Sequence, residues 1–150
     1  MAQILESARS LIVARLKETT PPLPYKTIMG TSNIQAALRQ GWASPACFVF
    51  KTGEKVQDSE GSLDGVLQEI LVDYSIVSAI KTEKDDGSVE DMTSIFGNTL
   101  IERINGWIPF GDNPFIYGGG YAFPDLERNL LFWVSEFSIL QIIHSKLSRV

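Results

Sequence analysis

The sequence contains one cysteine, Cys47, and one histidine, His144, in 150 residues. A single cysteine excludes an internal disulfide, so the fold cannot depend on oxidation. One histidine and one distant cysteine are a poor start for a zinc site, which needs three or four ligands. One histidine also severely limits the Ser-His-Asp class of hydrolases. The sequence therefore predicts no catalytic, cofactor or metal site.

Basic tracts and long apolar runs are also missing. The net charge is −5 and the sequence pI is about 4.8, so we do not expect binding of nucleic-acid phosphates as the main function. No window approaches about 18 uninterrupted apolar residues, which argues against a membrane span. Charges spread through residues 1–18, without a cleavage site of small residues, argue against a signal peptide. We expect a protein that is made and folds in a reducing cytoplasm.

Hydrophobic spacing in this chain predicts three helices and three strands. A length of 150 residues, with 44% hydrophobic and 21% charged residues, is typical of a single globular domain, here 1–150. The predicted fold class is α+β, a mainly antiparallel sheet with helices packed on one face. The predicted helices are 4–18, a two-turn helix within 32–41 and 88–105, and the predicted strands are 45–51, 66–82 and 129–145.

Signals at helix ends and in polar segments complete this prediction. Ser32 and Gln35 have the spacing of a capping box, and Gly41 and Gly106 stand where helices end. The polar segment 52–65 is typical of a long mobile hairpin loop. Residues 108–125 read as a long irregular connection.

Three consecutive glycines, Gly118, Gly119 and Gly120, stand among aromatic residues. A phosphate-binding loop needs its glycines before a helix N-terminus, whereas these precede a strand and lack a following Gly-Lys-Ser/Thr. The run therefore predicts a flexible loop. The surrounding aromatics either pack over the sheet or form part of a subunit interface, where aromatics are enriched; they are Phe110, Phe115, Tyr117, Tyr121 and Phe123.

Two acids lie in the middle of apolar strands, Asp73 and Glu136. A carboxylate pair on facing strands could perform acid–base chemistry. The alternative is a partly solvated face or an interface, with each acid paired to a base such as Arg103 or Arg128. Residues 83–91 contain five acids and one lysine, and this segment is either a solvated loop or an electrostatic docking patch.

The order of these segments resembles that of the tail-terminator (tail completion) proteins of long-tailed bacteriophages, a group that includes lambda-like minor tail proteins. An amphipathic helix leads to the strand PACFVF, a polar loop and the long strand ILVDYSIVSAI. A helix ending in LIERINGW, a connection rich in glycine and aromatics, and the strand LLFWVSEFSI follow. The resemblance covers essentially the whole chain.

The resemblance implies a virion structural protein without enzymatic activity. Its subunits would form a homohexameric ring that binds the end of the tail tube protein, stops polymerisation and offers its other face to the head-completion or neck protein. The loops 52–65, 82–90 and 108–125 would order on neighbouring subunits. The candidate residues for subunit or tube contacts are Asp73, Ser75, Asp85, Asp86, Phe115, Tyr117, Tyr121 and Glu136.

Three alternatives remain open from the sequence. One is a head–tail connector or another minor tail subunit. The second is a small-molecule binding α+β domain, with a cavity lined by Tyr74, Trp133 and Tyr121 under the aromatic loop. The third is an enzyme that uses Asp73 or Glu136.

Overall fold

A computed structural model describes residues 2–18, 23–82, 88–125 and 127–148. Within these residues one five-stranded sheet has the strand order β1-β2-β3-β5-β4, in which β1 and β2 run parallel and the other pairs antiparallel. The elements in chain order are α1 Ala2–Leu16, β1 Thr27–Gly30, α2 Ile34–Arg39, β2 Ala46–Ser62, β3 Gly65–Lys81, α3 Ser88–Ile104, β4 Ile116–Asp125 and β5 Leu130–Ser145. The α+β prediction is confirmed, with five strands rather than three.

Helices α1 and α3 pack on the same face of the sheet. Ala8, Ile12 and Leu16 recur every four residues and are buried, which gives α1 one apolar stripe. Phe96, Leu100 and Ile104 do the same for α3. The predicted end of α3 is confirmed, since Gly106 follows it with φ +81°, a conformation that favours glycine.

The C-terminal ends of these two helices are joined by two arginines. Buried Arg103 donates from Nη1 to the carbonyl oxygens of Arg15 and Glu18, at 3.0 and 3.3 Å. Arg15 Nε donates in return to the carbonyl of Arg103, at 2.9 Å. This exchange supplies charged donors to carbonyls at the end of α3, in the last turn of α1 and just beyond it, and so ties the two helix ends together.

The predicted mobile loop 52–65 is wrong, because most of it is strand. β2 continues to Ser62 and pairs with β3 along its whole length, and the turn between them is two residues, Leu63 and Asp64. Residues 54–62 of β2 are exposed apart from their backbone pairing, so no buried face imposes an apolar alternation there. Register shifts interrupt the ladder between Lys51 and Gly53 and between Val56 and Asp58.

The predicted irregular connection 108–125 is also partly wrong. Residues 116–125 form β4, which pairs with β5 at the edge of the sheet and has a register shift between Tyr117 and Gly119. All three glycines therefore lie in a strand and not in a flexible loop. Consequently the loop-ordering expectation fails for 52–62 and 116–125, while residues 83–87, with Asp85 and Asp86, lie outside the described part of the chain.

The short helix α2 lies on the opposite face of the sheet, so helices cover both faces. Its N-cap is Asn33, whose Oδ1 accepts from the N–H of Ala36 at 2.8 Å, and not the predicted Ser32. The helix ends at Gln40 in an extended conformation, so Gly41 does not form the predicted left-handed cap. A parallel β1–β2 pair requires a crossover connection, and α2 supplies it.

Two apolar cores result, one on each face. The larger lies between the sheet and helices α1 and α3 and includes Tyr74, Phe115, Phe137 and Ile139. The smaller lies under α2 and includes Phe48, Val77, Phe132 and Val134. We refer to these faces as the α1–α3 face and the α2 face.

Candidate assembly surfaces

Three of the predicted contact residues lie together on the α2 face of the sheet. The β3–β5 register pairs Asp73 with Ser138 and Ser75 with Glu136, and cross-strand partners point to the same side. Asp73 is half-buried and accepts a hydrogen bond from Ser138 Oγ at 2.5 Å, while Glu136 is exposed. Ser75 is buried, with 4% of its surface exposed, so it supports this region rather than presenting a side chain.

Tyr121 of β4 joins the same region. It pairs with Val134, two residues before Glu136 on β5, and 52% of its surface is exposed. Ile116 on the same strand is 60% exposed. We call this group the polar–aromatic patch; it comprises Asp73, Ile116, Tyr121, Glu136 and Ser138.

Phe115 and Tyr117 lie on the α1–α3 side instead. Phe115 is fully buried, with its ring stacked on Trp107 at 5.8 Å between centroids and edge-on to Tyr74 at 5.9 Å. Its side chain therefore presents no surface to a partner, because it fills the core. Tyr117 is half-buried against Phe137, at 5.3 Å between ring centroids, and its backbone N–H donates to Asn105 Oδ1.

The predicted ion pairs of the mid-strand acids do not form. Arg103 binds helix carbonyls, and Arg128 approaches Asp125 at 3.5 Å. The partner of Asp73 is the Ser138 hydroxyl. Asp73 and Glu136 lie diagonally on neighbouring strands, since Glu136 is two residues from Ser138, the cross-strand partner of Asp73.

One glycine of the run, Gly120, packs against the indole ring of Trp133. A Cβ on Gly120 would lie 2.9 Å from Trp133 Cζ2 and 2.7 Å from Tyr117 Oη. A Cβ on Gly97 of α3 would likewise lie 2.9 Å from Trp133 Nε1. Gly119 has φ +124° at the register shift. These glycines are therefore packing and backbone requirements and do not form a ligand loop.

The cavity expected for a small-molecule binder does not form as predicted. Tyr74 is fully buried and shares the α1–α3 face with Trp133, whereas Tyr121 lies on the α2 face. The sheet itself separates them. Tyr121 instead contacts Phe123, at 6.4 Å between centroids.

Cys47 and His144 differ in their exposure to solvent. Cys47 is fully buried, and burial raises the pKa of its thiol far above the ordinary value, which makes it a poor nucleophile. His144 is exposed near the end of β5. In the described ranges we find no group of three or more His, Cys, Asp or Glu side chains placed to hold a metal ion. No helix in those ranges is long and apolar enough to cross a membrane.

A cleft of about 460 Å³ on the α2 face was not anticipated from the sequence. Three cations surround its apolar floor: Arg39 of α2, Lys81 at the end of β3, and Arg128 before β5. Lys81 Nζ lies 5.2 Å from the centre of the Trp42 ring, a cation–π arrangement. We call it the basic cleft; its lining is Gln35, Leu38, Arg39, Trp42, Lys81, Arg128 and Leu130. These residues are far apart in the sequence, so no local motif indicates the cleft.

A second feature missed by the sequence is the end of the β2–β3 hairpin. Leu63 in its turn is 97% exposed. The residues around it carry three acids, Asp58, Glu60 and Asp64, and no base. We call residues 58–64 the hairpin tip. An isolated leucine within a polar turn was the available signal, since exposed turns usually hold polar residues.

The geometry therefore shows exposed surfaces of contrasting character. A family model described as phage tail terminator protein matches residues 4–147, nearly the whole chain. The chain belongs to the phage tail terminator family. No curated protein matches it.

Membership confirms the family resemblance drawn from the sequence and places the chain among structural proteins of the phage tail. A phage tail terminator is a virion component that interacts with other tail components. In this tail terminator the exposed surfaces are thus the features relevant to function.

Proposed function

We propose that this chain is a ring-forming subunit that caps the tail tube, ends tube polymerisation and offers a docking surface to the head or neck. Family membership carries this proposal. The partners would be further copies of the chain in a homohexamer, the tail tube protein and the head-completion protein.

The surfaces described above support it. A closed ring uses head-to-tail contacts, so each subunit must offer two unlike complementary regions. The chain has an acidic hairpin tip with an exposed leucine and a basic cleft with an apolar floor. The polar–aromatic patch is a third exposed region, which leaves a surface for the tube or the neck. We propose that Asp73, Tyr121 and Glu136 contribute there.

Native mass spectrometry of the purified chain tests the ring. We expect closed hexamers, or their formation as concentration rises. A monomer at every concentration, with or without tube protein, would count against the proposal.

Electron microscopy of tails assembled with and without the chain tests the capping role. We expect overlong or headless tails in its absence. A connector or another minor tail subunit would instead leave tail length normal while blocking head attachment or tail completion, which separates the alternatives.

A matched pair of charge reversals tests the polar–aromatic patch. Glu136→Arg changes an exposed acid in the patch, and Glu102→Arg changes an exposed acid on α3. We expect tail assembly to fall with Glu136→Arg and to be retained with Glu102→Arg. Equal activity of the two variants would remove the patch from the contact surface.

A further inference from the structure

The hairpin tip has the features of an inserting element. Leu63 stands almost completely in solvent at the end of two paired strands. A large apolar side chain in this position costs solvation and contributes nothing to the fold of its own chain. The same segment carries three acids, Asp58, Glu60 and Asp64.

The basic cleft has the complementary features. Its floor is apolar, formed by Leu38, Trp42 and Leu130, and its rim carries Arg39, Lys81 and Arg128, of which Arg128 also lies 3.5 Å from Asp125. Its volume of about 460 Å³ exceeds that of one leucine side chain and is in the range of clefts that bind ligands. The cleft thus suits an apolar anchor that is flanked by acids.

From this match we propose that the hairpin tip of one copy seats in the basic cleft of the next, with Leu63 on the apolar floor and the tip acids facing the three cations. Each exposed ion pair alone contributes little. Three pairs around one buried apolar anchor give the contact both attraction and register.

The contact must join two copies. Gly65 begins β3 beside the tip, and Lys81 ends β3 at the cleft. At about 3.4 Å per residue the two lie roughly 50 Å apart in one chain. A tip therefore cannot reach its own cleft, and the contact is head-to-tail, the type that closes into rings. The inference rests on the proposed ring function and names the contact that would build the ring.

Disulfide trapping between two single-cysteine variants tests the contact. One variant carries Gly61→Cys at the tip, where an added Cβ meets nothing within 4 Å and Leu63 is kept, and the other carries Gln35→Cys, an exposed position in the cleft lining. The native Cys47 is fully buried and should not compete. The control replaces Gln35→Cys by Ile95→Cys, a position on α3 that is 56% exposed. Tags of different mass distinguish the chains on a gel.

Under mild oxidation we expect the Gly61→Cys and Gln35→Cys mixture to form a mixed disulfide at least about tenfold faster than the control mixture, because a specific contact raises the local thiol concentration. Adding Arg39→Glu and Arg128→Glu to the cleft chain should abolish this advantage. Adding Glu60→Arg and Asp64→Arg to the tip chain should then restore it, since the charges are reversed on both sides. Equal rates in the test and control mixtures, or no rescue by the reversed tip, would overturn the proposal.

The same preparations separate this inference from the proposed ring. Hexamers of the unmodified chain without a selective mixed disulfide would leave the ring in place and remove the tip–cleft contact. A selective disulfide without closed hexamers would establish the contact and count against closure.

Discussion

The replacement of Gly120 by alanine tests whether the glycine run exists to hold the Trp133 ring. An added Cβ would lie 2.7 Å from Tyr117 Oη, 2.9 Å from Trp133 Cζ2 and 3.0 Å from the carbonyl oxygen of Val134. The carbonyl belongs to the paired strand and cannot move independently. The indole is also in close contact with Gly97, where a Cβ would stand 2.9 Å from Nε1.

The magnitude follows from two opposing effects. Alanine in place of a strand glycine gains about 0.5–1 kcal/mol from backbone entropy. Overpacking a well-packed site costs about 1–3 kcal/mol. We therefore expect Gly120→Ala to lower the free energy of unfolding by about 1–2 kcal/mol, which corresponds to a fall in Tm of roughly 3–6 °C for a chain of this length.

Gly118→Ala is the matched control, since it lies two residues away in the same strand. The nearest atom to its added Cβ is the Glu136 carbonyl oxygen at 3.6 Å, an ordinary contact. We expect no loss, or a gain of a few tenths of a kcal/mol up to about 1. Urea denaturation followed by tryptophan fluorescence gives both free energies, provided that the m value is unchanged. Equal stability of the two variants would refute the packing explanation of the glycine run.

Three further predictions concern buried polar groups. Arg103→Met should lower the free energy of unfolding by about 1–3 kcal/mol, measured by urea denaturation, because the carbonyls of Arg15 and Glu18 lose a charged donor; an unchanged midpoint would refute a stabilising role for these bonds. Tyr25→Phe should cost about 1–2 kcal/mol in the same assay, because the Ser78 hydroxyl, 2.6 Å from the Tyr25 hydroxyl and fully buried, loses its partner. Burial raises the pKa of Cys47, so its thiol stays neutral in the folded chain. In the unfolded chain the same thiol loses its proton above about pH 9. The free energy of unfolding should therefore fall as pH rises above about 9. Cys47→Ala should flatten that fall between pH 9 and 10, and an identical pH profile for both chains would contradict it.

The parts of the fold that bury one apolar face were predictable. Ile70, Val72 and Tyr74 alternate with the opposite face of β3, as their spacing indicates, and all three are buried. The four-residue spacing of Phe96 and Leu100 likewise predicted α3. In each case the sequence pattern is imposed by the core that the element covers.

The strand segments that bury no apolar face were not predictable from the sequence. Residues 54–62 of β2 are exposed on both sides, and β4 is an edge strand with three glycines, so their pairing depends on neighbours distant in sequence. The basic cleft was missed for the same reason, since Arg39, Lys81 and Arg128 meet only in the folded chain. Phe115 was misassigned to a surface because composition alone does not distinguish a core aromatic from an interface aromatic.

The outer borders of the sheet disfavour the addition of a further strand. Beyond β1, the free border of β2 carries Lys51, Glu54 and Lys55 and is irregular at two points, while β4 is irregular near Gly119 and holds Pro124, which has no N–H to donate. Charge, irregular pairing and proline each discourage the addition of another strand. A protein proposed to end polymerisation of the tail tube thus has sheet edges that disfavour strand-by-strand aggregation of its own chain.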